Sequence, residues 1–117
     1  MKDSKQGPGR FVKRPLEPPK YALESYHAGD APSDRRHKMH GEFNTAREAL
    51  DAARHLIDGQ LRGGVAAGRT AEDAFELWAS SGLVPVIVAI HTSAQQVEFD
   101  PFAYAAPRAQ LIAQGVT

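Results

Sequence analysis

The chain has 117 residues, 14 of them Lys or Arg and 14 Asp or Glu, with five histidines and no cysteine. That length fits one domain with a single modest core. The lack of cysteine excludes disulfides, thiolate metal sites, iron–sulfur clusters and thiol nucleophiles, and the balanced charge argues against a globally basic nucleic-acid binder.

The first twenty residues differ from the rest. Lys2, Lys5, Arg10, Lys13, Arg14 and Lys20 stand there against Asp3 and Glu17, so this stretch carries +4 and the remainder −4. Pro8, Pro15, Pro18, Pro19, Gly7 and Gly9 leave it little apolar surface to offset the entropy of ordering. Residues 1–19 are therefore expected to form a flexible basic tail, and residues 20–117 a single domain. The N-terminus has no apolar stretch of a secretory signal. The longest apolar run, residues 83–90, is far shorter than the ~20 residues that span a bilayer. A soluble, cytoplasmic protein without a membrane partner is expected.

Residues 21–27 alternate, with Tyr21, Leu23 and Ser25 on one side and Ala22, Glu24 and Tyr26 on the other, which predicts a half-buried strand. Residues 28–34 carry turn chemistry in Gly29, Asp30, Pro32 and Asp34. Residues 37–43 alternate again, with Met39 and Phe43 set against Lys38, His40 and Glu42, so the two runs predict an antiparallel hairpin. Thr45 and Glu48 form a capping box, and Ala46, Ala49, Leu50, Ala53, Ile57 and Leu61 trace one helical stripe. Arg47/Asp51 and Asp58/Arg62 read as i,i+4 pairs on the wet side, and Gly63-Gly64 as the stop. Thr70 and Asp73 open a second helix with Ala71, Ala74, Phe75 and Trp78 along its stripe. Gly82 reads as its left-handed terminal residue.

Residues 83–91 predict the central strand, because apolar side chains fall on both faces: Val84, Val86, Val88 and Ile90 on one, Ile87 and Ala89 on the other. Pro85 cannot donate to a ladder and is expected at the strand's beginning. Asp100-Pro101 opens a last helix along Phe102, Ala105, Ala109 and Ile112, which Pro107 should kink or divide. The expected fold is α+β: a three-stranded, mainly antiparallel sheet, two helices on one face and a kinked C-terminal helix. The second covered sheet face then needs either that last helix or a second copy of the chain.

These elements resemble a family of small uncharacterised bacterial α+β proteins. The matching positions are Gly41-Glu42-Phe43 closing the hairpin, Thr45, Ala49, Ala53 and Asp58 in the Ala-rich helix, Gly82, Pro85 and Ile87 at the strand entry, and Phe99, Phe102, Tyr104 and Ala105 in the aromatic C-terminal helix. The resemblance covers roughly residues 20–112 and implies the fold without supplying a reaction; Pro107 and Leu83-Val84 depart from its pattern.

Candidate chemistry is sparse. Among the histidines, His27, His37 and His91 can be imagined to cluster at strand ends, with Asp30, Asp34 or Asp100 completing a set, whereas His37 and His40 should point to opposite faces. No metal-ligand spacing and no cofactor motif is present. Glu24, Tyr26, Lys38, His40 and Glu42 are expected on one polar sheet face, and Arg35 and Arg36 add a small basic spot beside Lys38. Gly59, Gly63, Gly64 and Gly68 lack the Lys-Ser/Thr and preceding strand of a phosphate loop and read as an interhelical loop. Pro15-Leu16-Glu17-Pro18 matches a proline-rich ligand pattern in letters only.

The leading expectation is a non-catalytic interaction or accessory protein, homodimeric or bound to another protein, working through its sheet face or tail. A small enzyme using a histidine and a carboxylate at the strand ends is the first alternative. Weak nucleic-acid binding by the tail with Arg35, Arg36 and Lys38 is the second.

Overall fold

In a computed structural model, residues 18–116 are described. The expected tail falls almost wholly on residues 1–17, outside that range. Three strands and three helices follow in the order β1 (Tyr21–His27), β2 (Lys38–Phe43), α1 (Ala46–Ala66), α2 (Ala71–Ser81), β3 (Leu83–Ala89) and α3 (Pro101–Ala113), with a short 3-10 turn at Pro32–Asp34 between β1 and β2. The fold is α+β, and all strand pairs are antiparallel.

The sheet order is β2-β1-β3, so the expected central strand lies at an edge and β1 takes the middle. Apolar residues on both faces of residues 83–89 gave the wrong place because the burial of this strand has three sources rather than two flanking strands. One is α1, whose Ala49 and Ala53 pack with Tyr21, Leu23 and Ile87. Another is the outer edge itself. There Gln60 accepts from the Leu83 amide (2.8 Å) and donates to the Leu83 carbonyl (3.0 Å), which also accepts from Trp78 Nε1 (3.0 Å). Further along, Gln96 Nε2 donates to the Ile87 carbonyl (2.8 Å) and its Oε1 accepts from the Ala89 amide (3.4 Å). Two glutamine side-chain amides thus stand where a fourth strand would. The third source is the junction of helices, where Val84 is 1 % exposed among Ile57, Leu61, Trp78 and Ala105. Pro85 is the third residue of β3, and an edge strand tolerates it because its missing N–H faces outward.

α1 opens as its sequence dictates. The Thr45 hydroxyl accepts from the Glu48 amide (3.1 Å), and the Glu48 carboxylate accepts from the Thr45 amide (3.2 Å). It does not stop at Gly63-Gly64. It runs to Ala66 and ends in a Schellman motif: the Arg69 amide donates to the Gly64 carbonyl (3.1 Å) and the Gly68 amide to that of Val65 (3.0 Å), with Gly68 at φ 95°. Gly59, Gly63 and Gly64 are therefore helical rather than a loop. Gly64 lets α2 approach, since a Cβ there would lie 3.0 Å from that of Ala74.

α2 begins at Thr70, whose hydroxyl accepts from the Asp73 amide (3.1 Å), and ends at Gly82. Gly82 is extended (φ −82°), not left-handed. Glycine is needed there because a Cβ would come within 2.6 Å of Trp78 Cδ1 and 2.8 Å of the Trp78 carbonyl. α3 is one continuous helix with Pro107 inside it, capped by Asp100 accepting from the Phe102 and Ala103 amides (3.0 and 3.1 Å). It packs on α1 and α2; on the second face of the sheet Val84 and Tyr26 join that helical cluster at one end, and among the described residues no helix lies over the remainder, the helix-free part of that face. No described helix is long and apolar enough to cross a membrane.

Candidate functional sites

Two groups of polar side chains converge, one on the helix-free sheet face and one between α1 and α3. The first is built by the β1–β2 hairpin. The β1–β2 register passes from Leu23↔Gly41 to Glu24↔Met39, which makes His40 the extra residue of a β-bulge. Beyond the bulge every side chain changes face. Met39, expected inside with Phe43, is instead paired with Glu24 and is 51 % exposed, while Lys38 is paired with the core-side Ser25. His40 reaches the buried Ser25 hydroxyl at 2.6 Å. The single polar face expected from Glu24, Tyr26, Lys38, His40 and Glu42 is therefore divided: Glu24, Tyr26 and Glu42 share the side opposite α1, and Lys38 and His40 leave it.

The loop from β1 to β2 adds to that face. The Arg35 guanidinium lies 4.1 Å from the Tyr26 ring centroid, and the His37 imidazole stacks on the same tyrosine at 5.7 Å with 23° between planes. His37 Nδ1 is 2.9 Å from Glu24 Oε1. Arg36 is exposed alongside. The structure thus brings together Glu24, Tyr26, Arg35 and His37 as a stacked, hydrogen-bonded group.

The imagined histidine cluster does not form. His27 pairs in register with Leu83, whereas Tyr21 pairs with Ala89, so His91, two residues past β3, lies at the opposite end of the sheet from His27. The six steps of β1 between these ends span about 20 Å. His91 turns back on Ser93, with Nδ1 2.8 Å from the hydroxyl, and Asp100 is occupied as a helix cap. Among the described residues no group of three or more His, Asp or Glu side chains could hold a metal ion.

The second group escaped the sequence reading. Asp58, expected as a surface partner of Arg62, is 6 % exposed. Its Oδ1 accepts from the Tyr104 hydroxyl (2.8 Å) and from Arg108 Nε (3.1 Å), and its Oδ2 accepts from Arg108 Nη2 (2.9 Å). Burial alone would raise the Asp58 pKa, but the hydrogen bonds from Arg108 and Tyr104 and the charges of Arg108 and Arg62 hold it below the ordinary carboxylate value. Burial and then the bond to Asp58 push the Tyr104 phenol up to about 12, so it is a donor and not a base at neutral pH. Bonding to Asp58 likewise raises the Arg108 pKa.

Asp51, Arg54 and His55 join these three around an open concavity of about 410 Å³. The signal for this site lay in two spacings: Asp58 is flanked by Ile57 and Leu61 of the apolar stripe, and Tyr104 and Arg108 are one helical turn apart on α3. Of the other aromatics, Trp78 is buried and lies 5.1 Å from Phe102, which is 39 % exposed, and the half-buried Phe99 lies 5.9 Å from Tyr104.

Compared with known proteins, the chain matches no family model, no curated protein and no solved structure. Functional inference therefore rests on these two surfaces.

Proposed function

We propose that this protein is a non-catalytic interaction module that associates with a second copy of itself through the helix-free face of its sheet. The observation that carries this reading is the composition of that face. Its middle is apolar, with Val86, Val88 and the half-exposed Met39 around Glu24, and Ile90 just beyond β3 is 43 % exposed. A sheet normally buries such a face against another layer.

The charges at its two ends favour a second copy as that layer. Arg35 and Arg36 lie at the Tyr26 end, and Glu42, paired with Ala22, lies at the other beside Lys20, which is bonded across to Ile90. A two-fold axis across the strands places each Arg35–Arg36 end over the partner's Glu42 end, stacks the apolar middles, and sets Glu24, whose carboxylate is bonded to His37, opposite its counterpart. An axis along the strands would place arginine over arginine. Edge-to-edge pairing is the less favoured geometry, because the bulge at His40 blunts the β2 edge and Gln60, Pro85 and Gln96 occupy the β3 edge.

Sedimentation equilibrium tests the reading. The wild-type chain is expected to be dimeric at micromolar concentration. Val88→Glu, which sets a charge in the apolar middle, is expected to weaken the dimer at least tenfold with an unchanged circular dichroism spectrum. A wild-type monomer, or a Val88→Glu dimer of wild-type affinity, would contradict it.

A further inference from the structure

We propose that the concavity between α1 and α3 is a binding site for a small phosphate group, held by Arg54 and Arg108. The site is independent of the sheet face, being built from the helices that pack away from it.

The argument starts from Arg108. Its Nε and Nη2 are both committed to Asp58, at 3.1 and 2.9 Å. A guanidinium held through that edge keeps Nη1 with two N–H donors for another acceptor, and the planar group cannot turn without breaking two charge-assisted bonds. The hydroxyl of Tyr104 fixes the same carboxylate from a third direction, at 2.8 Å. This is how a protein holds an arginine in place for a second anion: the entropy cost of ordering the side chain is met within the fold.

Arg54 is the second cation. Its guanidinium lies 5.9 Å from the Tyr104 ring centroid and lines the same concavity. Its ion pair with Asp51 is long, 3.6 Å, and both side chains are about half exposed, so water screens that pair and it yields easily to a doubly charged ligand. His55 supplies a further ring N–H donor from the wall, and the concavity, about 410 Å³, is roomy enough for a phosphate and part of the molecule bearing it.

The two carboxylates do not make the site anionic. Asp58 has three donors on its oxygens, and Arg108 and Arg62 act on it as opposing charges. Asp51 lies on the exposed rim. A phosphate is favoured over a carboxylate because its extra charge and third oxygen use both guanidinium groups and the imidazole together.

The test is a two-dimensional ¹H–¹⁵N NMR titration of the full chain with inorganic phosphate at constant ionic strength, balanced with chloride. Saturable shifts are expected at residues 51–58 and 104–108. Arg54→Gln should weaken the affinity at least tenfold while leaving the remaining spectrum and the melting temperature unchanged. His91→Gln, at the far end of the sheet, should bind as the wild type does. Absence of saturable shifts, shifts confined to residues 1–20, or undiminished binding by Arg54→Gln would each overturn the proposal.

Discussion

Asp58 shows how a single side chain can be misplaced by a sound pattern. With Arg62 four residues on, it fits the spacing of an exposed helical pair, and only the arrival of α3, 46 to 50 residues later in the chain, turns it into a buried acceptor. Local spacing carries no information about that arrival. Asp58→Asn keeps the shape but loses the charge, leaving Arg108 without its partner. We expect a loss of about 2–3 kcal/mol in urea unfolding, less than for a fully buried pair because Arg108 is partly exposed and can turn to water.

The pH dependence has a definite sign. Because the folded state holds the Asp58 pKa below its unfolded value, its contribution is fully present above about pH 4 and is lost as pH falls through the lowered pKa. Asp58→Asn should therefore show a flatter loss of stability in acid than the wild type. At the alkaline end Tyr104 contributes below its unfolded pKa of about 10 and loses that contribution towards 12. Tyr104→Phe should remove that decline from the stability profile.

At the scale of elements, caps and periodicity were legible because they are local. β1 was read to its residue limits, α2 begins where Thr70 and Asp73 indicate, and Asp100-Pro101 opens α3. Misreadings arose where a residue had two uses. Gly63-Gly64 looked like a helix stop, yet Gly64 serves the close approach of α2, and Gly82 looked like a left-handed cap, yet it makes room for Trp78. Gly82→Ala is accordingly expected to cost roughly 1–3 kcal/mol by overpacking against Trp78 and the backbone, measured as a lower midpoint in chemical denaturation. Pro107 is the opposite case. It is exposed inside a continuous helix, where it removes one backbone bond without supporting the core. Pro107→Ala should raise stability by roughly 1–3 kcal/mol, seen as a higher melting temperature. A lower one would mean that α3 depends on the bend proline imposes.

At the scale of the whole molecule, the α+β class and the antiparallel hairpin followed from the order of alternating and helical patterns, whereas strand order did not. Apolar side chains on both faces of residues 83–89 indicate burial, and burial by helices, by two glutamines and by a loop looks the same in sequence as burial by neighbouring strands. The bulge at His40 was equally invisible: its one extra residue reverses Lys38 and Met39 and so decides which side chains the helix-free face presents. That face is the centre of the functional account, and the chain's lack of cysteine makes a direct experiment available. In the two-fold arrangement Met39 faces its own counterpart across the axis, at about the 10 Å that separates packed sheets. Met39→Cys treated with a short bis-maleimide should give a covalent dimer in high yield, while Glu72→Cys on the exposed start of α2 should not. Equal, low yields from the two variants would contradict the dimer and remove the reading built on it.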